Sequence, residues 1–400
     1  MTSEIGKKIM KFVGEDFFTT EDVSTDKNER IPALCQNNLK NVTLMLIRET
    51  IAPFIDRSNM PDESIWFKMP DGREVIHVPA RKFKSREKLF GIKLLRYLGK
   101  VDRSYKYNHL TSRVQLMNPT SVLMGETIVD HDKGEKTLSV PARALYSDVY
   151  SLRSREYITD KLTNNALNEQ GTMYDVEKGR TSSAFFQTEF VVPGVFFPAF
   201  ITLKDPTPEL LLHLIFSLRQ TAYGASTATT GTNFRNHIVG IIGSKIEPPI
   251  SSYLVSLNYS SKDTATPSQL TTPPEPEPKG VGVDSKDTAA PSPLPTLSFS
   301  VVKEKMLSLA KETLTDGAAM KINDDLNNFL ADIKSLNPSD DNIKEAYDSV
   351  QNDIEKYLSF SFDKPKPDKK KDKGKSGNAD KPTLDKSGDD DSGNIQTNAS

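Results

Sequence analysis

Apolar positions in this chain come in short runs, and the period of each run predicts its element. Val42 to Ile51 is β-prone and mostly apolar, which predicts a buried strand, and Val75 to Val78 predicts a second. Pro79 then opens a helix of about twenty residues. Along it Phe83, Phe90, Leu94 and Tyr97 recur at spacings of 7, 4 and 3, a stripe suited to packing on a sheet. Lys82, Arg86, Lys93, Arg96 and Lys100, at spacings of 4, 7, 3 and 4, share the neighbouring face. Upstream, Ile5 to Val13 suggests a short helix. Downstream, His109 to Gly125 reads as strand–turn–strand around Asn118-Pro119, and the polar, irregular stretch from Tyr157 to Glu189 as a protruding hairpin. The aromatic run Phe190 to Leu203 predicts strands entering the core. Asp205-Pro-Thr-Pro-Glu caps a helix over 208–222, with acids in its first turn where the helix dipole favours them. A β-branched strand comes next at Ile238 to Ile242.

Beyond Ser256 the pattern changes. Residues 259–297 are rich in Ser, Thr, Pro, Lys and Asp, which predicts an extended, disordered linker. Three amphipathic stripes lie beyond it (Val302, Met306, Leu309; Leu326, Phe329, Ile333, Leu336; Ile343, Tyr347, Val350, Ile354, Tyr357), so residues 298–361 predict a small three-helix module. A Lys/Asp/Gly/Ser tail, 362–400, is expected to be disordered. The main domain would then be residues 1–258.

Composition agrees with this division. A hydrophobic content of 36% is low for a chain folded throughout. The net charge of -2 hides an asymmetry: residues 1–258 carry 33 Lys+Arg against 29 Asp+Glu, while the remainder carries 19 against 25. Residues 81–106 hold ten Lys/Arg against Glu87 and Asp102. The 298–361 module is acidic, with seven Lys and twelve acids, and so suits a protein partner better than a nucleic acid. Cys35 is the only cysteine, which excludes an intramolecular disulfide and a Cys-based zinc site. Without an apolar leader or a run near the ~20 residues of a membrane span, the expectation is a cytoplasmic protein with no membrane partner.

The candidate chemistry centres on residues 219–243. Arg219 comes after an apolar helix, and Tyr223 precedes a loop of small hydroxyl residues bracketed by Gly224 and Gly231. Arg235, Asn236 and His237 come next. Glycines allow close backbone approach, and Ser226, Thr227, Thr229, Thr230 and backbone N–H groups can donate to phosphate oxygens. Such a loop grips a polynucleotide backbone; it is equally a Gly/Thr-rich surface turn with an N-cap. The tetrapeptide Val78-Pro79-Ala80-Arg81 recurs as Val140-Pro141-Ala142-Arg143. Each copy is read as opening a basic helix, the second over 142–155 with Arg153 and Arg155 at its end. A basic helix face is commonly just solvated, but an unbalanced row of cations repels itself unless something anionic lies opposite; on that second reading Arg81, Lys82, Lys84, Arg86, Lys93, Arg96 and Arg143 are phosphate contacts. No Walker A ending or His-Glu-x-x-His is present, so an NTPase or zincin is not supported. His213, on the apolar helix face, reads as a core or interface residue. Asp56, Asp62, Glu63 and Asp71 cluster in a Pro-containing loop with Trp66; such acids either hold magnesium for phosphodiester chemistry or serve as loop solubility residues.

Four blocks in order resemble the backbone subunit of type I-D CRISPR effector complexes, the Cas-seven family, Csc-two branch. They are Leu110-Thr-Ser-Arg-Val-Gln-Leu-Met-Asn-Pro-Thr-Ser; Val140-Pro-Ala-Arg-Ala-Leu-Tyr-Ser with Tyr150-Ser-Leu-Arg; Glu189-Phe-Val-Val-Pro-Gly-Val-Phe-Phe-Pro with Ile201-Thr-Leu-Lys-Asp; and Ala222-Tyr-Gly-Ala-Ser-Thr-Ala-Thr-Thr-Gly with Arg235-Asn-His-Ile-Val. The match spans residues 40–250. The resemblance implies an α+β fold, a modified ferredoxin-like or RRM-type sheet whose thumb hairpin would be 157–189. It implies copies polymerising head-to-tail along CRISPR RNA, beside other type I-D subunits and the target nucleic acid. Guide–target pairing would supply specificity and the protein would read backbone and shape. Where the family tends to carry another basic residue in the small-residue loop, this chain has Thr229, which shifts the expected guide contacts toward Arg219 and Arg235. The scaffold role requires no cofactor. Type III relatives cut the target strand with a loop aspartate after the first strand, so Asp56 and Asp62, with magnesium, are the candidates for a nuclease. A single-strand RNA binder outside CRISPR is the remaining alternative.

Overall fold

Both faces of strand β1 (Asn41–Thr50) are covered, which is why its sequence is apolar in almost every position. The computed structural model describes all residues except 1, 26–28, 58–62, 102–104, 108–109, 111, 131–135, 166–173, 176–179, 182–184, 226, 228–230, 260–296, 315–316 and 364–400. The expected linker and tail, and much of the expected thumb hairpin, lie outside the described residues. Before β1 comes α1 (Glu4–Val13). After it come β2 (Trp66–Lys68), β3 (Glu74–Val78), α2 (Ala80–Tyr97), α3 (Pro119–Met124), β4 (Glu126–Asp130) and β5 (Lys136–Val140). Next are β6 (Ala144–Tyr146), β7 (Val149–Ser154), the single turn α4 (Arg155–Ile158), β8 (Thr159–Asn165), β9 (Phe185–Val191), β10 (Phe196–Lys204) and α5 (Pro208–Ser217). The last elements are β11 (Phe234–Ser244), α6 (Ser252–Leu257), α7 (Phe299–Thr313), β12 (Ala319–Lys321), α8 (Asn323–Ser335) and α9 (Asp341–Asp363).

The main sheet is antiparallel throughout, in the order β12-β11-β1-β10-β6. Side chains alternate across a strand, and β1 therefore feeds two cores. Val42, Leu44 and Leu46 pack with α1, α2, α5, α8 and α9, whereas Met45 and Ile47 pack with α6 and α7. The architecture is α+β, as the sequence predicts. A second sheet, β2-β3-β7, flanks it, and β8 pairs with β9 from Thr159–Val191 to Asn165–Phe185. Among the described residues no helix is long and apolar enough to cross a membrane.

Three expectations are overturned. The segment around Asn118-Pro119 is helical: Asn118 caps α3, its side chain accepting from the Ser121 N–H at 2.9 Å, and Pro119 occupies the first turn, where a missing N–H costs nothing. The second Val-Pro-Ala-Arg copy opens no helix. Residues 144–146 pair with Ile201–Leu203 at the sheet edge, and β7 pairs with β3, so 142–155 is mostly strand and its arginines do not form a helical row. The first copy does open α2. Helix α5 also ends at Ser217, short of residue 222, because the Asn236 side-chain amide donates to the carbonyls of Leu218 and Gln220 at 2.9 and 3.2 Å.

The three C-terminal helices form where the stripes predict. Their apolar faces pack against the sheet of the same chain: Val302 and Met306 enter one core, Leu330, Ile343 and Ile354 the other, and β12 lengthens the sheet. Phe12 of α1 stacks on Phe329 of α8 at 4.1 Å. His213 of α5 is fully buried between Thr120 (2.8 Å) and the Tyr347 hydroxyl of α9 (2.9 Å), the core role its position predicts.

Burial pushes the His213 imidazole down to about 3, so it stays neutral while an unfolded chain would protonate near 6.5. A depressed folded-state pKa means stability present above the unfolded value and lost as pH falls. From pH 7 to pH 5 this group alone should remove about 2 kcal/mol. Urea denaturation should therefore show wild type losing about 2 kcal/mol more than His213→Gln over that interval; equal losses would mean His213 is not held neutral.

Candidate nucleic-acid interface

Glu87 falls within the apolar stripe of α2, one turn from Phe83 and from Phe90, and faces inward. There it meets Arg48 of β1 in an ion pair of 2.6 Å with both side chains out of water. The Tyr146 hydroxyl donates to the second Glu87 oxygen at 2.6 Å, and the Tyr223 hydroxyl donates to the first at 2.9 Å. Arg48 also donates to the Asn236 side-chain oxygen at 2.9 Å and lies over the Phe83 ring. Burial works against the charge of Arg48, but Glu87, Tyr223 and Tyr146 together outweigh it and its pKa is raised. Burial, then Glu87, pushes both tyrosine hydroxyls far above their ordinary range, so they remain donors. The network joins α2 and β6 to β1, β11 and the residues after α5.

Of the sequence-predicted contacts, Tyr223 and Asn236 belong to this interior network rather than to a surface. Gly224 has φ +75°, and a Cβ there would lie 2.5 Å from the Ile55 carbonyl; its freedom serves approach to the chain's own backbone. The Gly224 carbonyl accepts from Arg86 at 2.8 Å, which ties the basic helix to the Gly/Thr loop. Thr227 is described, its carbonyl accepting from the Gly231 N–H at 3.0 Å; Ser226, Thr229 and Thr230 lie outside the described residues.

The row of cations on α2 is largely balanced from elsewhere in the chain. Lys82 is bound to Asp56 and to the Arg57 carbonyl, Arg96 to the Tyr105 carbonyl, and Lys100 to Asp348. Lys84 donates to the Ala144 carbonyl at 3.0 Å, and burial lowers its pKa. Arg81 and Lys93 are exposed and make no hydrogen bond or ion pair among the described residues. Arg143 is structural, donating to the Asp205 and Leu34 carbonyls beside the Tyr357 ring. Arg153 is half-buried in β7. Arg155 pairs with Glu189 at 2.8 Å.

Arg219 lies over Phe216 and donates to the Ile333 carbonyl at 3.2 Å. Arg235 is exposed, 3.9 Å from Glu49, which His237 contacts at 2.8 Å. Arg219, Arg235 and His237 border one cleft of about 740 Å³.

Asp56 is buried under Lys82. Burial raises its pKa in spite of that lysine, and one carboxylate oxygen has no hydrogen-bond partner among the described residues. Asp62 lies outside the described residues. Among the described residues no three His, Cys, Asp or Glu side chains converge to hold a metal ion. With its carboxylate bound to an ammonium group, Asp56 does not fit the magnesium reading.

Sequence reasoning missed Arg48 and Glu87. The signal was there: an acid within the apolar stripe of a basic helix, and an arginine in an otherwise apolar strand.

The family model described as Csc2 Crispr matches residues 73–347. A crystal structure of Thermofilum pendens Csc2 superposes with a TM-score of 0.52 at 14% identity, over 88% of this chain and 97% of that one, and shows the fold. A chain of a CRISPR RNA-guided surveillance complex gives 0.42 at 10% identity, over 81% and 100%. A chain of a type IV-B CRISPR complex gives 0.36 at 11%, over 49% and 89%. No curated protein matches.

Replacing Glu87 by Gln keeps its shape but leaves Arg48 buried without a counter-charge, which should cost about 3–5 kcal/mol in urea denaturation. Glu74→Gln, on an exposed position of β3, should stay within about 0.5 kcal/mol of wild type. A similar small effect for both would show the ion pair to be dispensable.

Proposed function

Because this chain belongs to the Csc2 CRISPR family, we propose that it is the backbone subunit of a type I-D CRISPR effector complex. It binds CRISPR RNA along the sugar-phosphate backbone and repeats head-to-tail along that RNA, beside other effector subunits. The supporting observation within the chain is the Arg86–Gly224 contact, which sets the basic helix against the Gly/Thr loop. Arg81 and Lys93 remain exposed on that helix, and Arg235 is exposed at the start of the strand after the loop. Cations beside backbone N–H groups suit phosphate contacts, which position a strand without reading its bases. The sequence of the target is then read by pairing with the guide.

The scaffold role requires no metal. Cleavage of the target strand has no support from Asp56, whose carboxylate is already held by Lys82.

RNA that co-purifies with the chain, expressed with its partner subunits and washed at high salt, should consist of uniform CRISPR RNAs with repeat-derived ends. A heterogeneous cellular mixture, or binding only as a monomer, would replace the reading with general single-strand RNA binding. Arg235→Ala should weaken guide RNA binding several-fold at about 0.1 M salt and lower its salt dependence by about 0.7 in log–log slope, with no change in melting temperature. Unchanged affinity and slope would remove Arg235 from the interface.

A further inference from the structure

The cleft beside Arg219 and Arg235 has a far wall that the sequence pattern did not assign to nucleic acid. Helices α7 and α8 build it, and they belong to a segment in which acids outnumber lysines twelve to seven. That excess is not spread evenly. α8 turns Asn327, Leu330, Ala331 and Lys334 to the cleft, while Asp324, Asp325 and Asp332 do not line it. α7 contributes Phe299 and Lys303, one turn apart, and Glu304 does not line it. Lys303 and Lys334 make no ion pair among the described residues, and no Asp or Glu among them lines the cleft. Four cations from two distant parts of the chain thus border one opening, with Glu49, paired to His237 and near Arg235, as the nearest identified counter-charge. Ile51, Ile215, Leu218 and Val239 also line the cleft, and the rings of His237 and Phe299 lie 4.7 Å apart, tilted by 52°.

We infer that this cleft is a binding site for a single-stranded RNA segment, in which Lys303 and Lys334 hold phosphates across from Arg219 and Arg235 and a base rests against the His237 and Phe299 rings. The chemistry fits a polynucleotide better than a free inorganic anion. Cations beside apolar and aromatic side chains take a charged backbone and a π-face together. The volume, about 740 Å³, lies within the range of ~300–1,000 Å³ usual for small-ligand sites, enough for a nucleotide unit. The C-terminal helices are thereby part of the nucleic-acid surface, not solely a docking module. This inference rests on the RNA-binding reading above and extends it to residues on the far side of the linker.

The test measures binding of the full-length chain to a fluorescent single-stranded RNA by anisotropy, across a salt series. For Lys303→Gln/Lys334→Gln the log–log salt slope should fall by about 1.4, two phosphates at about 0.7 each, and affinity should fall about tenfold or more at 0.1 M salt. Lys311→Gln, in the last turn of α7 and outside the cleft, should match wild type, and all three proteins should melt alike. RNA carrying 4-thiouracil should form a photo-adduct on the peptide containing Phe299. If wild type binds RNA while the double variant keeps its affinity and slope, the inference is overturned and the proposed function stands. If wild type binds no RNA, the proposed function fails and this inference fails with it. A double variant that loses binding of anionic lipid vesicles but not of RNA would assign the cleft to lipid and overturn the inference.

Discussion

An arginine and a glutamate sealed together inside the protein set the position of everything around the candidate interface. Moving both charges out of water costs several kcal/mol per ion, and the attraction between them offsets that only when the remaining donors and acceptors are filled. Here Tyr146, Tyr223 and Asn236 fill most of them, one from each element that must meet at this point, while Arg48 Nε finds no partner among the described residues. A hydrophobic replacement could match the stability, but it could not dictate direction. Each hydrogen bond admits one orientation of its element, so α2, β11 and the turn after α5 are locked in mutual register. The Gly/Thr loop springs from Tyr223 and returns just before β11, and its two ends are therefore set by the network beneath it.

The same logic explains where the positive charge goes. A row of cations along α2 looks in sequence like an open electrostatic surface. In the fold, loop carbonyls and carboxylates take up most of it: Lys82 meets Asp56, Arg86 meets Gly224, Arg96 meets Tyr105 and Lys100 meets Asp348. These contacts fasten the helix to its surroundings. The charge left for a partner is a smaller, sharper set, and part of it comes from a segment whose overall charge is negative.

Elements whose period matched their burial were legible in the sequence. β1 is covered on both sides and reads as a continuous apolar run, while α2 and the three C-terminal helices each carry a clear stripe. The failures have specific causes. A repeated Val-Pro-Ala-Arg suggested a repeated helix, yet a proline start does not decide the conformation of the residues after it. Ala144–Tyr146 found a sheet edge to join, and α2 found a core to cover. Asn118-Pro119 looks like a turn and is a helix cap, because the two share the same residue chemistry. Within the site, Arg219 and Arg235 border one cleft. The inward orientation of Tyr223 and Asn236 was not legible, because it depends on Arg48 and Glu87, residues far from them in sequence.

The stacking of Phe12 on Phe329 has a consequence for how the protein is made. Synthesis runs from the N-terminus at about 5–20 residues per second, so α1 emerges long before its partner. Helices α2 and α5 cover only part of the apolar faces of α1 and of the sheet, and the rest stays uncovered until α8 and α9 have left the ribosome. Along β11, eleven residues long, the edge beyond β1 also lacks its three-residue cover until β12 appears. The interval from the end of β11 to the end of the core is on the order of ten seconds at those rates. Throughout it the nascent chain presents an open strand edge and half a core, the features that favour wrong pairing between molecules. Translation interrupted between β11 and the end of α9 would release a chain that cannot close, which makes the C-terminal helices the segment on which the yield of folded protein depends.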